Sequence, residues 1–118
     1  MKKIFVLDDD QAILDSIQLV LEDEGYKVTT SNKNFPINKL REEKPDLLLL
    51  DLWLSGADGR EICKQVKLHA STREMPVIMI SASRNIKQSA LDAGADDFME
   101  KPFELEELLK KVANWTNY

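Results

Sequence analysis

Asp8-Asp9-Asp10, Asp51, Ser81 and Lys101 stand at or just past the ends of short apolar runs. Carboxylates, a hydroxyl and an ammonium brought to one place make a site for a hard cation and an anionic group. Mg²⁺ suits such a set, because it is held by one or two carboxylates together with water and phosphate oxygens; Mn²⁺ could substitute. Asp8, Asp9 and Asp51 against Lys101 leave a formal charge of −2, which one divalent cation neutralises. Without it, two carboxylates ~4 Å apart repel by roughly 4 kcal/mol at an effective dielectric near 20.

The elements that must position these groups are legible in the hydrophobic pattern. Apolar runs fall at 4–7, 47–50, 77–80 and, more weakly, 98–99. Leu47-Leu48-Leu49-Leu50 lacks polar alternation, as expected of a strand covered on both faces. A further strand over 27–30 follows the first helix. Ile13, Ile17, Val20 and Leu21 recur at helical spacing, with Asp10 as N-cap and Gly25 past the end. Ile62 and Val66 mark a helix opened by the Asp58-Gly59 turn, and Leu105, Leu108, Leu109 and Val112 mark the last one. Strands alternating with helices predict a doubly wound α/β domain with a five-stranded parallel sheet. Its functional loops lie at the carboxyl ends of the strands.

Composition narrows the function classes. The 118 residues suit one domain, and the net charge of −5 with basic and acidic residues intermixed argues against a nucleic-acid-gripping surface. A single Cys63 excludes an internal disulfide and a Cys-based zinc site. The apolar stretch after Met1-Lys2-Lys3 is too short for a signal peptide or a membrane span. A cytoplasmic protein with no membrane insertion is expected.

Five motifs, in order, carry a family resemblance. They are Phe5-Val6-Leu7-Asp8-Asp9-Asp10, Pro45-Asp46 through Asp51-Leu52, Gly56-Ala57-Asp58-Gly59, Pro76 through Ser81-Ala82, and Ala93-Gly94-Ala95-Asp96-Asp97 through Lys101-Pro102-Phe103. Together they resemble the response regulator receiver domains of two-component and phosphorelay signalling, across essentially the whole chain. The resemblance implies a CheY-like, flavodoxin-like (β/α)5 fold with strand order 2-1-3-4-5. One receiver domain would occupy residues 1–118, with no output domain in this chain. It also implies that Asp51 accepts a phosphoryl group from a sensor histidine kinase or a histidine phosphotransfer protein. Asp9, Asp51 and the Trp53 backbone carbonyl would hold Mg²⁺, with Asp8 acting through bound water. Lys101 would pair with Asp51 and then with phosphoryl oxygens, and Ser81 would donate to one of them. Phe98 matches an aromatic switch position, and the Lys101–Pro102 bond matches a cis peptide. The output partner is not specified, and activity beyond self-phosphorylation and self-dephosphorylation is not expected.

Competing readings exist. A small haloacid-dehalogenase-like phosphohydrolase could use Asp8 and Asp10 as its Asp-x-Asp pair, but leaves Asp51 unexplained. A phosphorylation-independent pseudo-receiver has no need of an intact acidic site. Taken singly, Ser81 reads as a backbone cap, Lys101 as a surface charge and Phe98 as core. Cys63 and Met75 read as packing, His69 as a surface residue and Trp115 as an anchor for the last helix. Leu54-Ser55 replaces the family's usual Met-Pro, which predicts a less rigid loop. Ser81 and Gly94 are separated by 13 positions, about two fewer than usual, so the fourth helix is expected to be short; so is the second, after 32–36.

Overall fold

In the computed structural model, which describes residues 1–32, 37–54 and 56–117, five parallel strands form the central sheet. The strands are β1 (Lys3–Leu7), β2 (Lys27–Ser31), β3 (Leu47–Asp51), β6 (Val77–Ser81) and β7 (Asp97–Glu100), in the order β2-β1-β3-β6-β7. Counting only these five, this is the expected 2-1-3-4-5 arrangement. A two-residue antiparallel pair, β4 (Trp53–Leu54) with β5 (Ala57–Asp58), was not anticipated. Leu54 is buried and pairs with Ala57, so the segment after Asp51 is braced by strand pairing rather than by a proline; Ser55 lies outside the described residues.

The helices are α1 (Gln11–Asp23), α2 (Ile37–Glu43), α3 (Gly59–Leu68), α4 (Lys87–Asp92) and α5 (Leu105–Thr116), with a 3₁₀ turn at Arg84–Ile86. The shortness expected of α2 and α4 is observed; the residues 33–36 before α2 lie outside the described residues. Asp10 caps α1 by accepting the Ala12 and Ile13 N–H groups at 3.0 and 3.3 Å. Asp58 caps α3 through the Arg60 N–H at 2.9 Å.

Successive strand residues point to opposite faces, and the sheet therefore has two cores. Phe5, Leu7, Leu48, Leu50, Val77 and Met79 meet Leu40, Cys63, Val66, Ala90 and Phe98 on one side. Ile4, Val6, Leu47, Leu49, Ile78 and Ile80 meet Leu14, Ile17, Leu21, Leu108 and Val112 on the other. Full burial of each Val, Leu, Ile, Phe or Met side chain among these contributes about 1.5–3 kcal/mol. Ile17 and Leu21 of α1 and Leu108 and Val112 of α5, which the spacing picks out, are buried, and the neighbouring positions divide differently. In α1 the buried seam is Leu14, Ile17 and Leu21, with Ile13 partly covered. In α5 it is Leu108, Val112 and Thr116, while Leu105 in the first turn is 49% exposed. The seam lies where the neighbouring strands are, and hydrophobicity alone does not choose between adjacent positions. His69, expected on the surface, is half-buried, and its carbonyl accepts the Thr72 and Arg73 N–H groups just past α3.

Gly59 opens α3 against the end of β3. A Cβ there would stand 2.5 Å from the Asp51 carbonyl oxygen and 3.0 Å from the Leu52 Cα, both backbone atoms. Its N–H donates to the Leu52 carbonyl at 2.6 Å. Only glycine lets the helix approach this closely. Gly59→Ala should therefore cost about 1–3 kcal/mol of overpacking. In thermal melts this lowers Tm by roughly 5–12 °C; an unchanged Tm contradicts the close approach.

Candidate functional site

The site is assembled by strand register. Leu7 lies opposite Leu50, Asp51 opposite Ile80, and Ser81 opposite Glu100, so the carboxyl ends of β1, β3, β6 and β7 come together at one edge. The ladder continues past the strand ends: Leu52 N–H donates to the Ile80 carbonyl at 2.9 Å and Lys101 N–H to the Ser81 carbonyl at 2.8 Å. Asp8, Asp51 and Ser81 are each buried there, and Asp9 is exposed at the rim. The Lys101–Pro102 peptide bond is cis.

Lys101 carries the only ammonium found against this acid cluster among the described residues. Its Nζ lies 2.9 Å from Asp8 Oδ2 and 3.2 Å from Asp51 Oδ1. Asp8 Oδ1 accepts the Asp10 N–H at 2.9 Å. Asp8 Oδ2 is buried and, despite the ionic contact, accepts no directed hydrogen bond. One carboxylate oxygen from each of Asp8, Asp9 and Asp51 falls within 4.8 Å of the others. Three hard oxygens at this spacing, beside a buried carboxylate oxygen without a directed partner, fit a hard divalent cation.

Electrostatics follow from burial and crowding. Burial, joined by the Asp8 charge, raises the Asp51 pKa from 3.8 to about 6, against the partial relief given by Lys101. Burial disfavours the Lys101 charge, yet its contacts with Asp8 and Asp51 outweigh that and hold its pKa above the ordinary value. The site thus holds a strained carboxylate beside a firmly charged lysine.

Other expected residues fall as follows. Ser81 Oγ accepts the Ser83 N–H at 3.1 Å, a cap that leaves its O–H able to donate. Phe98 is buried in the core face that includes Ala90 and Ile86. Trp53 is 58% exposed, with the Arg60 guanidinium 5.4 Å from its ring centroid. Asp10 is spent on capping α1, so it is not a second site carboxylate paired with Asp8. Cys63 is buried and its thiol pKa is pushed up to about 11 by that burial, consistent with packing.

Sequence reasoning missed the residues that hold the frame. Asp96 Oδ2 accepts both the Val77 N–H and Lys67 Nζ at 2.8 Å, tying the start of β6 to α3. Asp97 accepts from Lys111 Nζ at 3.0 Å and from the Trp115 indole N–H at 2.9 Å, which is how Trp115 anchors α5. In the sequence Gly59 carries only a turn signal. Its contact with β3 is non-local, and no short-range pattern carries it.

The raised Asp51 pKa has a stability consequence with a definite sign. Below pH ~4 the residue is protonated folded and unfolded, and contributes nothing. Between pH ~4 and ~6 the unfolded chain ionises first, so stability falls as pH rises. Above ~6 the whole cost is present, roughly 3 kcal/mol for the rise from 3.8 to about 6. Without divalent cations, Asp51→Asn should therefore raise Tm above the wild type at pH 7.5, and the gain should shrink towards zero at pH 4. Melts that show no gain at pH 7.5 contradict a crowded acidic pocket.

Comparison with known proteins agrees with this geometry. Residues 4–113 match the family described as response regulator receiver domain. A protein from Chloroflexus aurantiacus J-10-fl described as a response regulator superposes with TM-score 0.92 at 31% identity, covering 99% of this chain and 98% of that one. A CheY-like response regulator receiver domain protein from Methanospirillum hungatei JF-1 gives TM-score 0.90 at 32% identity, over 99% and 94% of the two chains. The receiver domain of the sensor histidine kinase PA1611 from Pseudomonas aeruginosa PAO1 shares the fold at 23% identity, with TM-score 0.89 over 99% and 98%. That structure has a magnesium ion coordinated in its active site cleft. A parallel sheet in the order β2-β1-β3-β6-β7 and a matching family pattern over nearly its whole length lead to one assignment: the chain belongs to the response regulator receiver domains of two-component signalling.

Proposed function

We propose that this receiver domain is phosphorylated on Asp51 by a phosphohistidine of a sensor histidine kinase or a histidine phosphotransfer protein, and that the modification switches partner binding. The observation that carries the reading is the buried Asp51 carboxylate at the end of the central strand, 3.2 Å from Lys101 Nζ and crowded by Asp8 and Asp9. A carboxylate with a pKa near 6 is ionised at neutral pH and poorly solvated, which favours its attack on phosphorus.

In the transfer, an Asp51 carboxylate oxygen forms a bond to phosphorus while the P–N bond to the donor imidazole breaks. The bonding pair leaves with the imidazole nitrogen. Asp9, Asp51 and the Trp53 backbone carbonyl would hold Mg²⁺, with Asp8 beside it; three acids of this kind lie within reach of one another here, and the Pseudomonas receiver has a magnesium ion in its active site cleft. When bound, the ion supplies positive charge that neutralises the acid cluster and the incoming phosphoryl oxygens. Lys101 stays close enough to Asp51 to pair with a phosphoryl oxygen. The Ser81 hydroxyl donates to another and draws the segment before α4 towards the site. Positioning and charge neutralisation carry most of such a transfer.

The switch then runs from Ser81 to Phe98. Phe98 has no hydroxyl, so its two states differ by packing against Ile86 and Ala90. The modification shifts that equilibrium only by its differential interaction with the two states. Among the described residues, no helix is long and apolar enough to cross a membrane. A cytoplasmic site of action, no direct nucleic-acid contact and no sustained enzymatic turnover complete the reading.

Acetyl phosphate with MgCl₂ should add the mass of one phosphoryl group to the wild type and none to Asp51→Asn. Lys101→Ala should slow labelling by about a hundredfold, the scale of losing one charge-stabilising donor. Ser81→Ala should still be labelled. A label that persists in Asp51→Asn overturns the assignment of the acceptor.

A further inference from the structure

We propose that Arg60 is a positioning residue that transmits the state of the Asp51 loop to α4, by a route that does not pass through Ser81. The inference rests on the proposed role of Asp51 and adds a second line of communication to it.

Arg60 makes three kinds of contact at once. Its Nε lies 3.0 and 3.1 Å from the two Asp58 oxygens, and its Nη2 lies 2.6 Å from Asp58 Oδ2. Its Nη1 donates to Ser89 Oγ of α4 at 2.8 Å. The same guanidinium sits 5.4 Å from the centroid of the Trp53 ring. Asp58 and Trp53 are paired across β4 and β5, the hairpin that directly follows Asp51. The guanidinium is therefore clamped to both strands of that hairpin on one side and to α4 on the other.

The base of this clamp is stiff. Arg60 follows Gly59, which is wedged against the Asp51 carbonyl and the Leu52 backbone. A shift in the β4–β5 pair that accompanies loading of the pocket carries Asp58 with it, and the bidentate pair passes that shift to Arg60. A planar fork has the geometry for this, since it holds its two partners in a fixed relation.

The far end is pliable. α4 has six residues, no side-chain N-cap bond, and Ala90 as its buried residue. A helix this short is not stable by itself, so its order depends on tertiary anchors. Among the described residues, the Arg60–Ser89 bond is the side-chain hydrogen bond that ties α4 to another element. Ser81 acts on the segment leading into α4, whereas Arg60 grips its body. The two inputs reach α4 at different points.

Three amides report on α4, because Ala93, Gly94 and Ala95 donate to the carbonyls of Ser89, Leu91 and Ala90. Hydrogen exchange at these amides is measured in the full chain, without ligand and with Mg²⁺ plus beryllofluoride. Wild type and Ser81→Ala should both gain protection on loading, the latter less. In Arg60→Gln and in Ser89→Ala the protection of the loaded state should fall about tenfold, the loss expected for one hydrogen bond to a charged group. The double variant should be no worse than either single one, since both remove the same contact. Arg60→Lys should behave like Arg60→Gln, because an ammonium cannot span Asp58 and Ser89 as the fork does. Asp51 labelling by acetyl phosphate should persist in the Arg60 and Ser89 variants. A wild-type gain at these amides in Arg60→Gln or Ser89→Ala overturns the route and leaves Asp51 as the acceptor. Absence of labelling in the wild type overturns the acceptor reading and the route together.

Discussion

Lys101 sets a single ammonium against Asp8 and Asp51, at 2.9 and 3.2 Å, in a pocket that Asp9 makes more acidic still. The imbalance is built in. Three carboxylates cannot all be satisfied by one lysine, and burial, joined by the Asp8 charge, lifts the Asp51 pKa to about 6. Strain of this kind is tolerated where the surroundings over-determine it. In the proposed function the same imbalance gives the site its affinity for a divalent cation and for the phosphoryl group that the cation accompanies.

What over-determines it is the sheet. Parallel register brings four strand ends to one edge, and the two hydrophobic faces fix that register, because a one-residue slip would exchange the cores. Gly59 then locks α3 onto the end of β3, so the backbone at Asp51 and Leu52 has little room to relax the crowding. At the opposite end of the sheet, Lys67 donates to the Met75 carbonyl and pairs with Asp96, joining α3, β6 and the approach to β7. The pocket itself is the part of the fold that is held rather than holding.

The sequence showed more of the site than of its scaffolding. Asp8, Asp51, Ser81 and Lys101 were legible because strand ends are marked by abrupt polar residues after apolar runs, and because hard-ligand chemistry restricts what three acids and a lysine can do. Strand positions were legible for the same reason, within a residue at most ends. Ile17 and Leu21 were legible in the seam of α1 but Leu14 was not, and the spacing that marks α5 does not separate exposed Leu105 from buried Leu108, because propensity and spacing do not say which neighbour covers a helix. Asp96, Asp97, Lys67 and Arg60 act across 14 to 29 residues of sequence, and such contacts leave no local signature. The β4–β5 pair is two residues on each strand, too short to produce alternation.

The central claim is that, of the crowded acids, Asp51 is the one that takes the phosphoryl group. Borohydride reduction tests this most directly, because an acyl phosphate is reduced to an alcohol while an ordinary carboxylate is not. The wild-type chain, phosphorylated by a histidine phosphotransfer protein in Mg²⁺, would be reduced, digested and mapped by mass spectrometry. The account predicts homoserine at position 51 and unmodified aspartate at positions 8, 9 and 10. Homoserine at position 8 or 9, with position 51 unchanged, would contradict it.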